Sequence, residues 1–271
     1  MKKFIMTFVF FCCAALIAAS PGISEELVLK GSTTVLPIAQ KAAEAYMAKN
    51  PHVKISLSGG GSGNGIKAIV DGTADIGNAS RFIKDKEVKL CVSKDVYPVP
   101  HRIALDCIVP VVNPGNPVKN LSTTQLKNIF LGKITNWKEL GGKDGKIIVI
   151  SRDSSSGTFG VWKKLVMDKE RVVPSALTVP SNGGLVQAVS KTPGAIGYIA
   201  LGYVNDSVKT LSVNGTPGNS STTRNGSYAL SRPLFMFTNS WPKERTQDFL
   251  NFVLSPEGQK IVEEAGSIPV Y

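Results

Sequence analysis

The same strand–loop–helix pattern occurs three times in this chain, and it constrains the fold more than any other feature. Each copy has a short apolar strand, then a loop rich in glycine and hydroxyl residues, then apolar residues at helical spacing. The three loops cover residues 31–34, 59–65 and 151–158. Alternation of strands with helices favours an α/β fold built on an open sheet.

In an open α/β sheet, ligands bind at the carboxyl ends of the strands, which is where these loops lie. A helix that begins there offers unpaired N–H groups and a partial positive charge. Glycine lets backbone amides approach a ligand, and Ser or Thr adds hydroxyl donors. One such loop is most often a plain helix cap. Three of them, one carrying Arg152, favour a shared site for an oxyanion.

The segments between and after these units complete an α/β order. The further predicted elements are a strand-rich stretch over Val99–Val112, a helix over Thr123–Phe130, a buried strand over Ala195–Ile199, a surface loop over Asn214–Ser227, a strand over Leu230–Thr238 and one amphipathic closing helix over Arg245–Ala265. This order fits two lobes joined by crossing strands. The chain is expected to leave the first lobe near Ile108 and to return near Ala229.

Residues 1–24 have the three parts of a secretory signal peptide. Lys2 and Lys3 are followed by an apolar stretch and then by small residues, with cleavage favoured after Ser24. An uncleaved membrane anchor is the alternative. Cys12 and Cys13 lie inside the apolar stretch, which argues against lipid attachment. We therefore expect a soluble protein of the periplasm.

The charge of the chain suggests an anionic partner. The formal net charge of +11 becomes +9 when the two lysines of the signal segment are removed. A basic chain suits nucleic acid, an acidic surface or a small anion, although a basic surface without any ligand is an equal alternative. Aromatic residues are only 7% and no run of five basic residues occurs, which argues against nucleic acid.

Known catalytic patterns do not match the loops. The segment 60–64 is not a nucleophile elbow because Asn64 stands where the last glycine would be, and no Walker A motif is present. The two histidines, His52 and His101, are in positions typical of surface or structural residues. No spacing suits a metal ion. We therefore expect a binding protein without metal or cofactor rather than an enzyme.

Two cysteines, Cys91 and Cys107, remain after signal removal. In an oxidising compartment they could form a disulfide with a structural role. Cys107 lies in an apolar run, so a buried free thiol is the alternative.

Six segments, taken in order, resemble the periplasmic phosphate-binding proteins of Pst-type ABC phosphate transporters. They are residues 31–37, 60–66, 74–80, 129–137, 152–158 and 193–198. The resemblance implies a two-lobed periplasmic-binding-protein fold of type II, the Venus-flytrap fold, with mixed sheets and hinge-crossing strands. It implies a first lobe formed by 25–107 and 229–271, and a second lobe formed by 108–228.

The same resemblance implies that the protein is a monomer that closes on one inorganic phosphate and delivers it to an inner-membrane permease. Carried over by position, the phosphate ligands are Thr33, Thr34, Ser62, Ser80, Arg152, Ser156, Gly157 and Thr158. Among these, Arg152 is expected to supply the one fixed positive charge.

One position departs from the family pattern. Ser80 stands where the best-known members have an aspartate that accepts the phosphate proton and repels sulfate. Selectivity against another oxyanion, such as sulfate or arsenate, is therefore less assured. The same residues would also fit a secreted hydrolase of phosphate esters, or a scavenging protein that has no transporter.

Overall fold

A computed structural model describes residues 26–271, so the predicted signal segment lies outside the described residues. The strands are β1 Glu26–Gly31, β2 Lys54–Gly59, β3 Ile76–Ala79, β4 Pro98–Val112, β5 Asn120–Leu121, β6 Ile148–Arg152, β7 Leu177–Val179, β8 Ala195–Ala200, β9 Lys209–Thr210, β10 Ser212–Val213 and β11 Ser231–Asn239. The helices are α1 Leu36–Lys49, α2 Ser62–Val70, α3 Asp85–Val92, α4 Thr123–Phe130, α5 Gly157–Leu165, α6 Asn182–Lys191, α7 Ser220–Arg224, α8 Glu244–Leu254 and α9 Pro256–Glu264.

Strand β4 joins two halves of one mixed sheet, whose strand order is β2-β1-β3-β11-β4-β8-β6-β7, with β9 also paired to β4. The first part of β4 pairs antiparallel with β11, as far as Cys107 opposite Ser231. From Ile108 onward, β4 pairs antiparallel with β8 instead. The molecule therefore has two lobes connected by a strand that runs through both.

The first lobe is built around a core that helices α1, α8 and α9 form with the sheet. Leu29 and Ile38 are fully buried there, and Tyr46 packs its ring against Phe249 and Phe252 at 5.5 and 5.4 Å between ring centroids. Burial of these apolar side chains stabilises the lobe and fixes where β1 and β3 end.

The second lobe has a separate core rich in aromatic residues. The rings of Trp162 and Tyr198 stack at 4.4 Å with an angle of 9° between their planes, and Phe130 packs against both. Trp162 belongs to α5 and Tyr198 to β8, so this stacking anchors α5 on the sheet and positions its first turn.

The three predicted strand–loop–helix units are confirmed as β1–α1, β2–α2 and β6–α5. Helix α1 ends at Lys49 because Pro51 disfavours helical geometry in the residue before it. The predicted helix Thr123–Phe130 has the observed bounds, and its cap Ser122 accepts a hydrogen bond from the Gln125 amide at 3.0 Å.

The prediction of one closing helix over 245–265 was wrong, because the structure has two helices, α8 and α9, that meet at Ser255. Pro256 has no N–H to continue α8, and the Ser255 hydroxyl caps α9 by accepting from the Gly258 amide at 3.2 Å. The predicted surface loop over 214–227 also contains a short helix, α7, capped by Asn219.

The possible disulfide between Cys91 and Cys107 is not formed. Both residues are buried free thiols. They lie in different clusters: Cys91 of α3 packs with Ile66 and Ile69, whereas Cys107 packs in the core of the second lobe. Burial raises the pKa of both thiols, to about 12 for Cys107, which keeps them protonated and inert.

Among residues 26–271, none of the helices combines the length and the apolar character that a membrane span requires.

Candidate functional site

The first lobe brings three hydroxyl-bearing segments together at the ends of β1, β2 and β3. Thr33 and Thr34 lie between β1 and α1, Ser62 is the first residue of α2, and Ser80 directly follows β3. Gly31 makes this approach possible: its φ is +132°, and a Cβ there would lie within 3.0 Å of the Asn78 carbonyl oxygen.

The second lobe contributes the end of β6 and the first turn of α5. Arg152 is the last residue of β6, and the Ser156 hydroxyl caps α5 by accepting from the Phe159 amide at 3.2 Å. Gly157 and Thr158 form the first turn, where helix N–H groups have no acceptor within the helix.

Side chains of the two lobes touch at this point. Thr34 Oγ1 lies 3.2 Å from Thr158 Oγ1, and Arg152 Nη2 donates to Thr33 Oγ1 at 3.4 Å. A Cβ on Gly157 would lie within 3.0 Å of the hydroxyls of both Ser62 and Ser80. Each of the eight predicted residues is therefore near this one position, and the side chains of the seven other than Gly157 are almost entirely buried.

Ser155 adds a second connection between the lobes that no prediction covered. Its carbonyl accepts from the Gly63 amide at 2.9 Å, and its hydroxyl donates to the Gly60 carbonyl at 2.9 Å. Gly61, with φ +98°, passes so close to Ser155 that no side chain would fit between them. The glycines of this loop therefore serve the contact between the lobes.

Arg152 is a buried cation without a carboxylate partner among the described residues. It is 3% exposed, and Nε and Nη2 donate to the carbonyls of Val179 and Pro180 at 3.1 and 2.8 Å. Its Nη1 is buried and has no hydrogen-bond partner within residues 26–271. Burial lowers the pKa of this guanidinium, but an arginine remains charged at any physiological pH.

A second buried guanidinium, Arg232 of β11, lies beside the same threonines, so that Arg152 as the source of the one fixed charge stays a prediction. Its Nε and Nη2 bind Asp106 Oδ2 at 2.9 and 2.8 Å, and its Nη2 also donates to Thr34 Oγ1 at 3.3 Å. Arg232 therefore forms an ion pair with the fully buried Asp106, whereas Arg152 forms none with any carboxylate of residues 26–271. The available sequence signal for this pair was the position of Asp106 and Arg232, which are charged residues inside predicted apolar strands.

Asn182 is a further site residue that the sequence analysis missed. It is the first residue of α6 and is fully buried. Its Nδ2 donates to Thr33 Oγ1 at 3.3 Å and to Thr34 Oγ1 at 3.1 Å. The segment 180–183, which follows β7, repeats the strand–loop–helix pattern a fourth time and was the available signal.

The arrangement offers hydrogen-bond donors on many sides. Hydroxyls, helix N-termini and one unneutralised guanidinium are the groups that bind an oxyanion. Neither histidine is among the residues that meet here, and His101 instead has its Nε2 3.0 Å from Thr238 Oγ1. Within the described part of the chain, no group of three or more potential metal ligands occurs.

Sequence comparisons relate the chain to phosphate-binding proteins. Residues 17–257 match the family model described as a PBP superfamily domain. The chain is 36% identical to the phosphate-binding protein PstS of Bacillus subtilis, covering 91% of this chain and 81% of that protein. It is 31% identical to the PstS of Borreliella burgdorferi, covering 100% and 99%.

Solved structures show the same likeness. A putative phosphate ABC transporter substrate-binding protein from Clostridium perfringens, with bound phosphate, superposes with a TM-score of 0.86 at 36% identity, covering 91% of this chain and all of that one. An ABC-type phosphate transport receptor from Vibrio cholerae superposes with a TM-score of 0.74 at 34% identity, covering 89% and 99%.

Proposed function

This chain belongs to the PstS-like phosphate-binding proteins of the PBP superfamily, and from that premise we propose that it binds inorganic phosphate between its lobes for delivery to an ABC importer. The observation that carries the proposal is the convergence of three loop–helix junctions on the unneutralised guanidinium of Arg152. Phosphate is an anion whose four oxygens accept hydrogen bonds from many directions, which is what this set of donors provides.

The strength of the site follows from the number of donors. Hydrogen bonds to a charged group contribute about 1.5–3 kcal/mol each, and micromolar affinity requires about 8 kcal/mol. A handful of such bonds is sufficient after the costs of association and lobe closure are subtracted. The ligand residues are those assigned from the resemblance: Thr33, Thr34, Ser62, Ser80, Arg152, Ser156, Gly157 and Thr158.

Binding also explains why the lobes close. Because the ligand contacts both lobes, it stabilises the closed conformation over the open one. We take the lobes as 25–107 with 229–271, and 108–228. The segment 1–24 would direct the protein across the membrane, where a permease reads the closed shape and receives the phosphate.

The direct test is a calorimetric titration of phosphate-stripped protein with inorganic phosphate. We expect one phosphate per chain and micromolar or tighter affinity. Ser93→Ala is a matched control, since this hydroxyl binds only the Leu90 carbonyl on the exposed end of α3 and should leave the titration unchanged. The proposal would be overturned if phosphate gave no heat of binding and did not compete with another bound anion.

Ser80 favours a second candidate, a binding protein for another oxyanion. Its hydroxyl lies 3.4 Å from that of Ser62 and offers no permanent acceptor for a phosphate proton. Titrations with sulfate and arsenate, and phosphate titrations in a large excess of sulfate, separate the candidates. If sulfate does not compete, phosphate selectivity does not require a carboxylate at this position.

The proposal includes the absence of catalysis. The relatives are named as phosphate-binding and substrate-binding transport proteins rather than enzymes, so we expect no turnover of a generic aryl phosphate. Hydrolysis that is lost in Ser62→Ala would contradict a pure binding function.

A further inference from the structure

We propose that Asn182 is a positioning residue that makes the hydroxyls of Thr33 and, through Thr34, of Thr158 donate toward the bound oxyanion, a role that rests on the proposed function. The orientation of its side chain is set within the second lobe. Its Oδ1 accepts from the Ala200 amide at 3.3 Å. Since a side-chain amide has one accepting and one donating end, its NH2 group must face the threonines of the first lobe.

Thr33 receives two donors. Its Oγ1 accepts from Asn182 Nδ2 at 3.3 Å and from Arg152 Nη2 at 3.4 Å. A hydroxyl oxygen has two lone pairs and one hydrogen. Both lone pairs are occupied, so the remaining capacity of this hydroxyl is to donate.

The hydroxyl of Thr34 is oriented in the same way, and it donates to the other lobe. Its Oγ1 accepts from Asn182 Nδ2 at 3.1 Å and from Arg232 Nη2 at 3.3 Å. Its hydrogen is then left for Thr158 Oγ1, which lies 3.2 Å away. Thr158 accepts this bond and keeps its own hydrogen free to donate.

The consequence is that the hydroxyls of Thr33 and Thr158 present hydrogens rather than lone pairs to the ligand. Asn182, which itself need not touch the anion, orients hydroxyls on both lobes at once. Such a site recognises the more highly charged form of phosphate, because an additional P–OH group would need an acceptor. Reversing the polarity of residue 182 should therefore change which protonation state binds best.

The test compares Asn182→Asp with Asn182→Leu in calorimetric titrations of phosphate-stripped protein with inorganic phosphate, between about pH 8 and about pH 5. The Asp side chain has the same shape but only acceptors, so the threonine hydrogens turn toward it and lone pairs face the ligand. The charged and titratable groups around this position are Arg152 with its neighbours Asp153 and Tyr198, the Arg232–Asp106 pair, and Tyr203, whose hydroxyl donates to the Thr33 carbonyl at 2.5 Å.

We expect Asn182→Asp to weaken phosphate binding about a hundredfold at the alkaline end of this range. Toward the acid end, the ratio of its dissociation constant to that of the wild type should fall about tenfold, because phosphate then carries a proton that the exposed lone pairs accept. Asn182→Leu should weaken binding about tenfold by a ratio that does not change with pH. Asn113→Asp is the matched control, because this amide binds the Val189 and Ser190 carbonyls of α6 and should leave phosphate affinity unchanged.

A double-mutant cycle keeps the proposal testable if the Asp variant folds poorly. Thr34→Val removes the hydroxyl through which Asn182 acts, so Asn182→Leu should cost less in that background than in the wild type. Strictly additive effects, or a pH-independent ratio for a folded Asn182→Asp, would overturn the inference alone. A wild-type protein that binds no phosphate would overturn the proposed function and this inference with it.

Discussion

Arg152 and Arg232 both donate to the threonine pair of the first lobe, but their surroundings differ. Arg232 shares a buried pair with Asp106, whose Oδ1 also accepts from the Leu201 amide at 3.0 Å. Arg152 donates to backbone carbonyls and a hydroxyl; the neighbouring Asp153 carboxylate acts on it electrostatically, but no carboxylate within residues 26–271 forms an ion pair with it. Two identical side chains a short distance apart are therefore placed in opposite electrostatic conditions.

The difference distinguishes a charge that stabilises the fold from a charge that binds the ligand. A buried guanidinium that is neutralised within the protein holds elements together but has little attraction left for an anion. A buried guanidinium without a counter-charge carries a desolvation cost that only an incoming anion relieves. The comparison assigns the framework to Arg232 and the ligand to Arg152, and the following substitutions test that assignment.

The largest effect is expected from Arg232→Met. It leaves the Asp106 carboxylate buried and unpaired, which destabilises a protein by about 3–5 kcal/mol. Thermal unfolding of the phosphate-free protein should show a melting temperature lower by roughly 10 °C. The double variant Arg232→Met/Asp106→Leu is the control, since it removes both charges and should recover most of the loss. If the single variant is as stable as the wild type, Arg232 has no framework role.

Arg152→Ala should act on binding and not on the fold. Loss of a charge-assisted contact from a dry site is expected to weaken phosphate binding by about a hundredfold in calorimetry. The melting temperature without phosphate should change little, because a desolvated charge is removed along with its bonds. Arg171→Ala, at an exposed arginine of the same lobe, should leave affinity unchanged. An unchanged affinity in Arg152→Ala would remove its central role.

Gly157→Ala keeps both arginines and alters only how closely the lobes approach. The added methyl would lie within 3.0 Å of the Ser62 and Ser80 hydroxyls. We expect phosphate affinity to fall about tenfold, since overpacking of this kind costs about 1–3 kcal/mol. Gly145→Ala is the control, because a Cβ there meets no atom within 4 Å. Equal affinities of the two variants would mean that the lobes do not close over Gly157.

Arg81 offers the smallest and most specific test, because its partner Glu87 is largely but not fully buried. The pair is 2.7 Å between Arg81 Nη2 and Glu87 Oε1. Burial alone would raise the pKa of Glu87, but the bonds from Arg81 and from the Lys84 amide hold it below its ordinary value. Arg81→Gln leaves a largely buried carboxylate without its charged donor, so it should cost about 1–3 kcal/mol of stability at neutral pH and leave phosphate affinity unchanged.

The pH dependence gives the sign of this effect. A lowered carboxyl pKa contributes stability above the ordinary glutamate value of 4.5, and that contribution is lost as the pH falls through the lowered pKa. The gap in melting temperature between wild type and Arg81→Gln should therefore close in acid. A gap that persists at low pH would mean that the pair is not its source.

Much of the fold was predictable from local patterns. The three strand–loop–helix units follow from strand alternation, helical spacing and the breakers Asn50, Pro51 and Gly72, which act over a few neighbouring residues. The closing helix was misjudged because its apolar spacing continues across the break, and only Pro256 marks where the backbone bond is lost.

The site was predictable only where it is local. Thr33, Ser62 and Arg152 lie in loops that are recognisable from the local sequence, because glycine and hydroxyl residues follow a strand and precede a helix. The Arg232–Asp106 pair joins residues 126 positions apart, so no local pattern reveals which buried charge is neutralised. Asn182 was missed for a different reason: its loop is short and its role depends on threonines 148 and 149 positions away.

The continuous course of β4 through both lobes has a consequence for hydrogen exchange. Its amides stay bonded to β11 on one side of Cys107 and to β8 on the other, whether or not the lobes separate. Opening has to break only bonds such as Gly63 N–H to the Ser155 carbonyl. The amides of β4 should therefore exchange slowly both with and without ligand. Deuterium uptake should change on ligand binding only at the residues that border the cleft between the lobes.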